Sequence, residues 1–302
     1  MQSLRELRSK FSSSRAAMVQ LTGTLSRTIA FVIFFLAFAV VVTFVGLPLV
    51  ALFAYGTLSG FLNSLSSPVL VQALQLSLVT TLTTLLLVIT FGTPVAYFNA
   101  RHSYHGKRII ETLIDLPIVL PPAVAGIALL LAFGRRGLLG QYFNILGINI
   151  AFTTTAVVLA QTFVSSPFYI RQATTSFEDV DPDYERAAHT LGASGAGTFF
   201  RVTVPIALNG LVSGALMTWA RALGEFGATI IFAGNFQGVT QTMPLAIYSE
   251  LSINLDIAAY LGVILVLISF AVIASVKVLT LKEKGAVKEK ESILDRVPPP
   301  SD

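Results

Sequence analysis

The chain has 302 residues, of which 54% are hydrophobic and only 12% charged, with a mean hydropathy of +0.76. Soluble domains carry about 25% charged residues, so this composition excludes disorder and argues against the soluble two-domain enzyme that length alone would suggest. The lack of cysteine excludes disulfides, thiolate catalysis, Fe–S clusters and cysteine zinc sites, and three histidines (His102, His105 and His189) are too few for a histidine-rich metal site.

Residues 1–28 carry Arg5, Arg8, Lys10, Arg15 and Arg27 and read as a cytoplasmic N-terminal segment. The apolar run that follows, at about 26 residues, is longer than the 7–15 of a cleaved signal and reads as a retained span. From Thr28 to Asn99 there is no Lys, Arg, Asp or Glu. A spanning helix needs about 20 apolar residues, so this interval holds two, divided by the turn-prone stretch from Tyr55 to Pro68. The expected spans are residues 29–54, 69–98, 113–133 and 153–170, then one from Pro205 to at least Ala220, then 257–276. The fold class is therefore an all-α polytopic membrane bundle of about six helices, occupying residues 29–281. A charged, proline-ended tail, 282–302, reads as solvated and cytoplasmic.

With the N-terminus inside, 17 of the 20 basic residues fall on inner segments, the asymmetry expected of cytoplasmic loops. Both termini are then cytoplasmic. The basic balance is a topology signal, and no basic patch interleaved with aromatics supports nucleic-acid binding.

The inner loop 171–204 is longer than a connection requires. It holds Glu178, Asp179, Asp181, Asp183 and Glu185, five of the sixteen acidic residues. Asp181 suits an N-cap and Pro182 the first helical position. Asp183 and Glu185 lie where the helix dipole favours acids. Ala187, Ala188 and Leu191 form a small apolar face, and Gly192 is placed to end the helix in the left-handed conformation. A short amphipathic helix at the membrane surface follows. It is either a docking device or an element that merely tidies the loop.

Three further stretches stand out. In L-P-I-V-L-P-P-A-V-A-G, residues 116–126, Pro121 and Pro122 leave only twelve residues to Phe133, too few to span alone. The third span must be bent or broken, as a structural kink or as a pore-lining element with exposed carbonyls. In W-A-R-A-L-G-E-F-G-A-T, residues 219–229, Arg221 and Glu225 are four apart and share one face of a continuous helix. A charge in mid-bilayer costs about 2.5–3.5 kcal/mol, so the two pair, either as an interhelical clamp or as part of an anion path or gate, with Gly224 and Gly227 permitting close approach. The outer loop 233–245 is uncharged. Its Asn235, Gln237, Thr240, Gln241 and Thr242 either cap the bundle or meet a substrate-delivery protein. Thr80, Thr81, Thr83 and Thr84 read as packing groups rather than donors along an anion route.

The pattern Glu185-x-Ala187-Ala188-x-x-x-Gly192, followed thirteen residues later by Pro205 in V-T-V-P, resembles the cytoplasmic EAA loop of ABC importer permeases. Residues 116–126 and 219–229 resemble the molybdate, tungstate and sulfate branch of that family, and G-N-F-Q-G-V-T-Q-T-M-P-L-A-I-Y resembles molybdate permeases. The resemblance covers about residues 70–280, and Arg186 departs from the small or acidic residues common at its position. It implies a type I importer permease fold and transport of a tetrahedral oxyanion, molybdate first, then tungstate or sulfate. It also implies a homodimer, two copies of an ATP-binding subunit and an extracytoplasmic oxyanion-binding protein. The implied coupling residues are Asp183, Glu185, Ala187, Ala188, Gly192 and Pro205, and the implied path or gate is Pro121, Pro122, Arg221, Gly224 and Glu225. Without GxxxxGK[ST], HExxH or GxSxG the chain reads as a transport subunit and not an enzyme, binding no cofactor itself and leaving ATP to its partner. The alternative is an ion-coupled secondary anion transporter.

Overall fold

The structure, a computed structural model, describes residues 30–271 and 274. The segment 1–28 and the tail 282–302, with their ten basic residues, lie outside the described residues. Among those described, all regular structure is helical.

Helix α1, Ala30–Ala54, belongs to a first compact unit that ends at Gly56. Within that unit its large side chains from Phe31 to Phe53 are exposed, apart from half-buried Leu52. A helix apolar on all sides is suited to hydrocarbon rather than water.

The second unit begins at Thr57. Helix α2, Leu58–Ser64, is capped by the Thr57 hydroxyl. Helix α3, Pro68–Arg101, starts where the Ser67 hydroxyl accepts the Leu70 N–H and a proline occupies the first turn. Its 34 residues reach about 51 Å at 1.5 Å per residue. That exceeds a hydrocarbon layer of about 30 Å, so at least one end stands outside it.

The expected span 113–133 is two helices, α4 (Lys107–Val119) and α5 (Pro122–Phe133), bent by 117° at the break. The cause is local. A residue before proline avoids the helical region, and Leu120 and Pro121 each precede one. Both are extended, with ψ of 133° and 134°.

After the short α6 (Gly140–Ile145), α7 runs from Thr154 to Glu178. Then come α8 (Pro182–Thr190), α9 (Gly195–Thr198), a π-helical turn (Phe199–Thr203) and α10 (Val204–Leu223). The last three run as one rod, Gly195–Leu223. Pro205 explains the π turn: its ring crowds the carbonyl four residues back, and the wider turn relieves that crowding. Because α7 and this rod extend past the expected spans, the loop expected at 171–204 shrinks to 179–194. The remaining helices are α11 (Gly227–Phe232), α12 (Met243–Glu250) and α13 (Leu255–Ala271).

Among the described residues, three helices (α1, α3 and the rod 195–223) are long and apolar enough to cross a membrane, or four if α4 and α5 form one broken span. Helix α7 has the length, at 25 residues, but more polarity. It is the central helix: Ala156, Val157, Ala160 and Val164 pack with α5 and α11, and Tyr169, Ala173 and Phe177 pack with α3 and α10. A helix shielded by protein can carry polar side chains that a lipid-facing helix cannot. A third cluster joins Leu70 and Ala73 of α3 to Met243 and Ala246 of α12 and Leu261 and Ile264 of α13.

Candidate functional site

Helix α8 begins as its residues dictate. The Asp181 carboxylate accepts the Asp183 N–H at 2.9 Å, and Pro182 fills the first turn. It ends at Gly192, whose φ of +86° is the left-handed conformation expected of it. No buried residue lies on α8. Tyr184, Ala187 and Leu191 are exposed, Leu191 to 89%, whereas Ala188 is half-buried. This leaves a small, unpartnered apolar face. Asp183 is exposed and paired with Arg186. Pro205 is exposed at the start of α10.

Glu185 does not join that exposed face. Its Oε1 accepts from Arg101 Nη2 at 2.9 Å, from Arg101 Nε at 3.2 Å and from the Thr203 hydroxyl at 2.8 Å. Arg101 Nη2 also donates to the Val180 carbonyl at 3.0 Å. The two side chains are only 13% and 14% exposed. One carboxylate oxygen thus ties α8 to the end of α3 and to the π turn. Arg101 and Thr203 are functional candidates that the sequence did not single out. They lie 84 and 18 residues from Glu185, with no local pattern to connect them. Beneath the junction, Tyr97 meets Phe177 and Phe199 edge-on, with ring centroids 5.4 and 4.8 Å apart.

At the far end of α10 a second Arg–Glu pair forms, with Arg221 Nη1 2.8 Å from Glu225 Oε2. The expectation of one shared helix face is corrected here: α10 stops at Leu223, with Gly224 as its cap, and Glu225 lies in the break before α11. The other oxygen of Glu225 accepts the Ala228 N–H at 2.8 Å and so caps α11. The Glu225 side chain is 1% exposed and that of Arg221 30%. Helix α5 approaches closely: a Cβ on Gly227 would lie 2.4 Å from Pro122 Cβ, and one on Gly126 2.8 Å from Ile231 Cβ. Pro121 and Pro122 are otherwise exposed. Glu250, at the end of α12, is a second buried acid. Its sequence context looks like an ordinary helix end.

A buried polar seam runs along α3. Trp219 Nε1 donates to Thr81 Oγ1 at 2.9 Å, Thr84 donates to Gln161 at 3.2 Å, and Ser77 Oγ accepts the Met243 N–H at 2.8 Å. Thr80, Thr81 and Thr84 are buried and act in packing, while Thr83 is exposed and bonds back to Val79. The loop 233–245 turns mostly inward. Thr240, Gln241 and Thr242 are buried, and Asn235 donates to Ser249 at 2.7 Å. Of the five polar residues picked out there, Gln237 is the one that is exposed.

A family model described as the binding-protein-dependent transport system inner membrane component matches residues 89–282. The molybdenum transport system permease protein ModB of Mycobacterium tuberculosis is 44% identical over 235 residues, covering 78% of this chain and 89% of that protein. The probable transport system permease NifC of Clostridium pasteurianum is 37% identical over 76% of this chain and 81% of its own length. The sulfate permease CysW of Synechococcus elongatus is 40% identical over 62% and 66%. Among solved structures, a bacterial ABC transporter for alginate import shares the fold with a TM-score of 0.69 at 12% identity, covering 87% of this chain and 99% of that one. The methionine transporter MetNI follows at 0.55 and 18%, covering 70% and 94%.

Proposed function

The chain belongs to the family of binding-protein-dependent transport system inner membrane components, and from that membership we propose that it is the permease subunit of an ABC importer for molybdate, with tungstate and then sulfate as lesser substrates. The likeness to molybdenum permeases across most of the bundle carries the substrate. The exposed apolar face of α8 carries the coupling.

Two copies of the permease form the conduit, and both termini are cytoplasmic. Two ATP-binding subunits dock on Tyr184, Ala187 and Leu191, beside Asp183 and Ala188. An extracytoplasmic binding protein delivers the oxyanion. The chain binds no cofactor, and ATP is consumed by the partner. Arg221, held to Glu225 yet 30% exposed, lines the path with Pro121, Pro122 and Gly224. Its charge favours an anion without trapping it, because Glu225 neutralises it at one nitrogen. The other buried acid, Glu250, sits at a helix end, so ion coupling of the secondary-transporter kind has less support than an ATP-driven partner.

The test is reconstitution with an ATP-binding subunit and a binding protein. ATP-dependent uptake of labelled molybdate, inhibited by tungstate, is expected, and uptake that ignores ATP or oxyanions would overturn the reading. Gly192→Val sharpens it. Nothing in this chain lies within 4 Å of a Cβ added there, so within the chain the change acts through the backbone, at about 1–2 kcal/mol of left-handed strain. We expect normal insertion and subunit association with uptake uncoupled from hydrolysis.

A further inference from the structure

The apolar face of α8 explains where a partner docks but not how its motion reaches the membrane helices. We propose that Arg101 is a positioning residue that locks α8 to the end of α3, so that the two move as one body when the partner moves. This rests on the reading of α8 as the coupling helix. Two guanidinium nitrogens converge on one Glu185 oxygen at 2.9 and 3.2 Å, and Nη2 also holds the Val180 carbonyl just ahead of α8. Both residues of the pair are largely withdrawn from water, where charge-assisted bonds are strong and directional. The third bond, from Thr203, extends the same body to the π turn that opens α10.

Both rods held by this carboxylate contain a proline close to the junction, Pro94 in α3 and Pro205 in α10. Each proline removes a backbone bond from its helix, so each rod has a compliant point next to a rigid joint. Displacement of α8 is thereby delivered as bending at Pro94 and Pro205 rather than dissipated in the loop. Asp183, whose ion pair with Arg186 is solvent-exposed, has no such reach.

The absence of cysteine makes a direct measurement clean. Arg186→Cys and Ser103→Cys place spin labels on exposed positions of α8, away from the docking face, and of the turn after α3. Labelled permease is diluted with unlabelled permease and reconstituted with its ATP-binding subunit and binding protein. The label separation is expected to be the same in nucleotide-free and ATP-trapped complexes. With Arg101→Ala it should broaden and depend on nucleotide. Molybdate imported per ATP hydrolysed should fall about tenfold or more, the scale of one charge-assisted junction, with ATP-binding-subunit association unchanged. Arg101→Lys, which keeps a charged donor at the Glu185 oxygen but loses the fork, should retain an intermediate ratio. A nucleotide-dependent separation without the Arg101 change, or an unchanged transport ratio in Arg101→Ala, overturns the proposal. Should Arg101→Ala fail to insert, Thr203→Val removes one bond to the same oxygen and is expected to lower the ratio several-fold, and an unchanged ratio there also counts against it. ATP-driven uptake without these substitutions is the separate check on the coupling reading.

Discussion

The two Arg–Glu pairs have nearly equal separations, 2.9 and 2.8 Å, but different work. Arg221 and Glu225 are four residues apart, and their contact closes a break within one stretch of chain, where one carboxylate oxygen meets the guanidinium and the other caps α11. Arg101 and Glu185 are 84 residues apart, and their contact, extended by Thr203, joins three elements. A local pair secures the shape of its own segment, whereas a long-range pair secures the relation between segments. The first is expected to weigh mainly on stability and the second mainly on coupling.

Substitutions at the two pairs test that division, read as unfolding in detergent micelles beside transport per ATP. The largest loss of stability is expected for Glu225→Ala. It removes a nearly fully buried carboxylate, strands Arg221 and uncaps α11, the kind of change that costs about 3–5 kcal/mol. Arg221→Ala should cost less, about 1–3 kcal/mol for an acceptor left unsatisfied, because Glu225 keeps the Ala228 bond and Arg221 is partly in water; leaky or reduced uptake should accompany it. Glu185→Gln retains a neutral acceptor but leaves the largely buried Arg101 without its counterion, about 1.5–3 kcal/mol, yet should depress transport per ATP more than Arg221→Ala does. Arg186→Ala, at an exposed pair, should move stability by less than about 0.5 kcal/mol. If Glu185→Gln destabilises more than Glu225→Ala, or leaves coupling intact, the division between the pairs fails.

Much of the bundle was legible because its signals are local. A 20-residue apolar run, a proline pair at 121 and 122 and an Asp-Pro start at 181 each act within a turn or two. They place α3, the α4–α5 break and α8 nearly where they are. Gly192 was legible for the same reason, since the left-handed cap is set by one residue's own backbone freedom. Three features were not legible. The loop 171–204 is shorter than it reads, because α7 continues to Glu178 with Ala173 and Phe177 packed against α3 and α10 while Arg171, Thr175 and Glu178 stay exposed. The helix through Arg221 and Glu225 is broken, although i, i+4 spacing suits an unbroken one. The loop 233–245 buries Thr240, Gln241 and Thr242, where the sequence left open whether they cap the bundle or meet a delivery protein.

The sequence by itself determined that the chain is a membrane bundle, where α3, α5, α7 and α8 begin, and which short helix carries an exposed apolar face. Hydrophobic length, capping and proline geometry depend on neighbours in the chain. Only the tertiary structure decided that Glu185 faces inward to Arg101 and Thr203 while Tyr184 and Leu191 face out, and that Glu225 caps a new helix. Those choices depend on which distant donor is near enough to repay desolvation of a carboxylate, and that distance is set by packing across α3, α7 and α10.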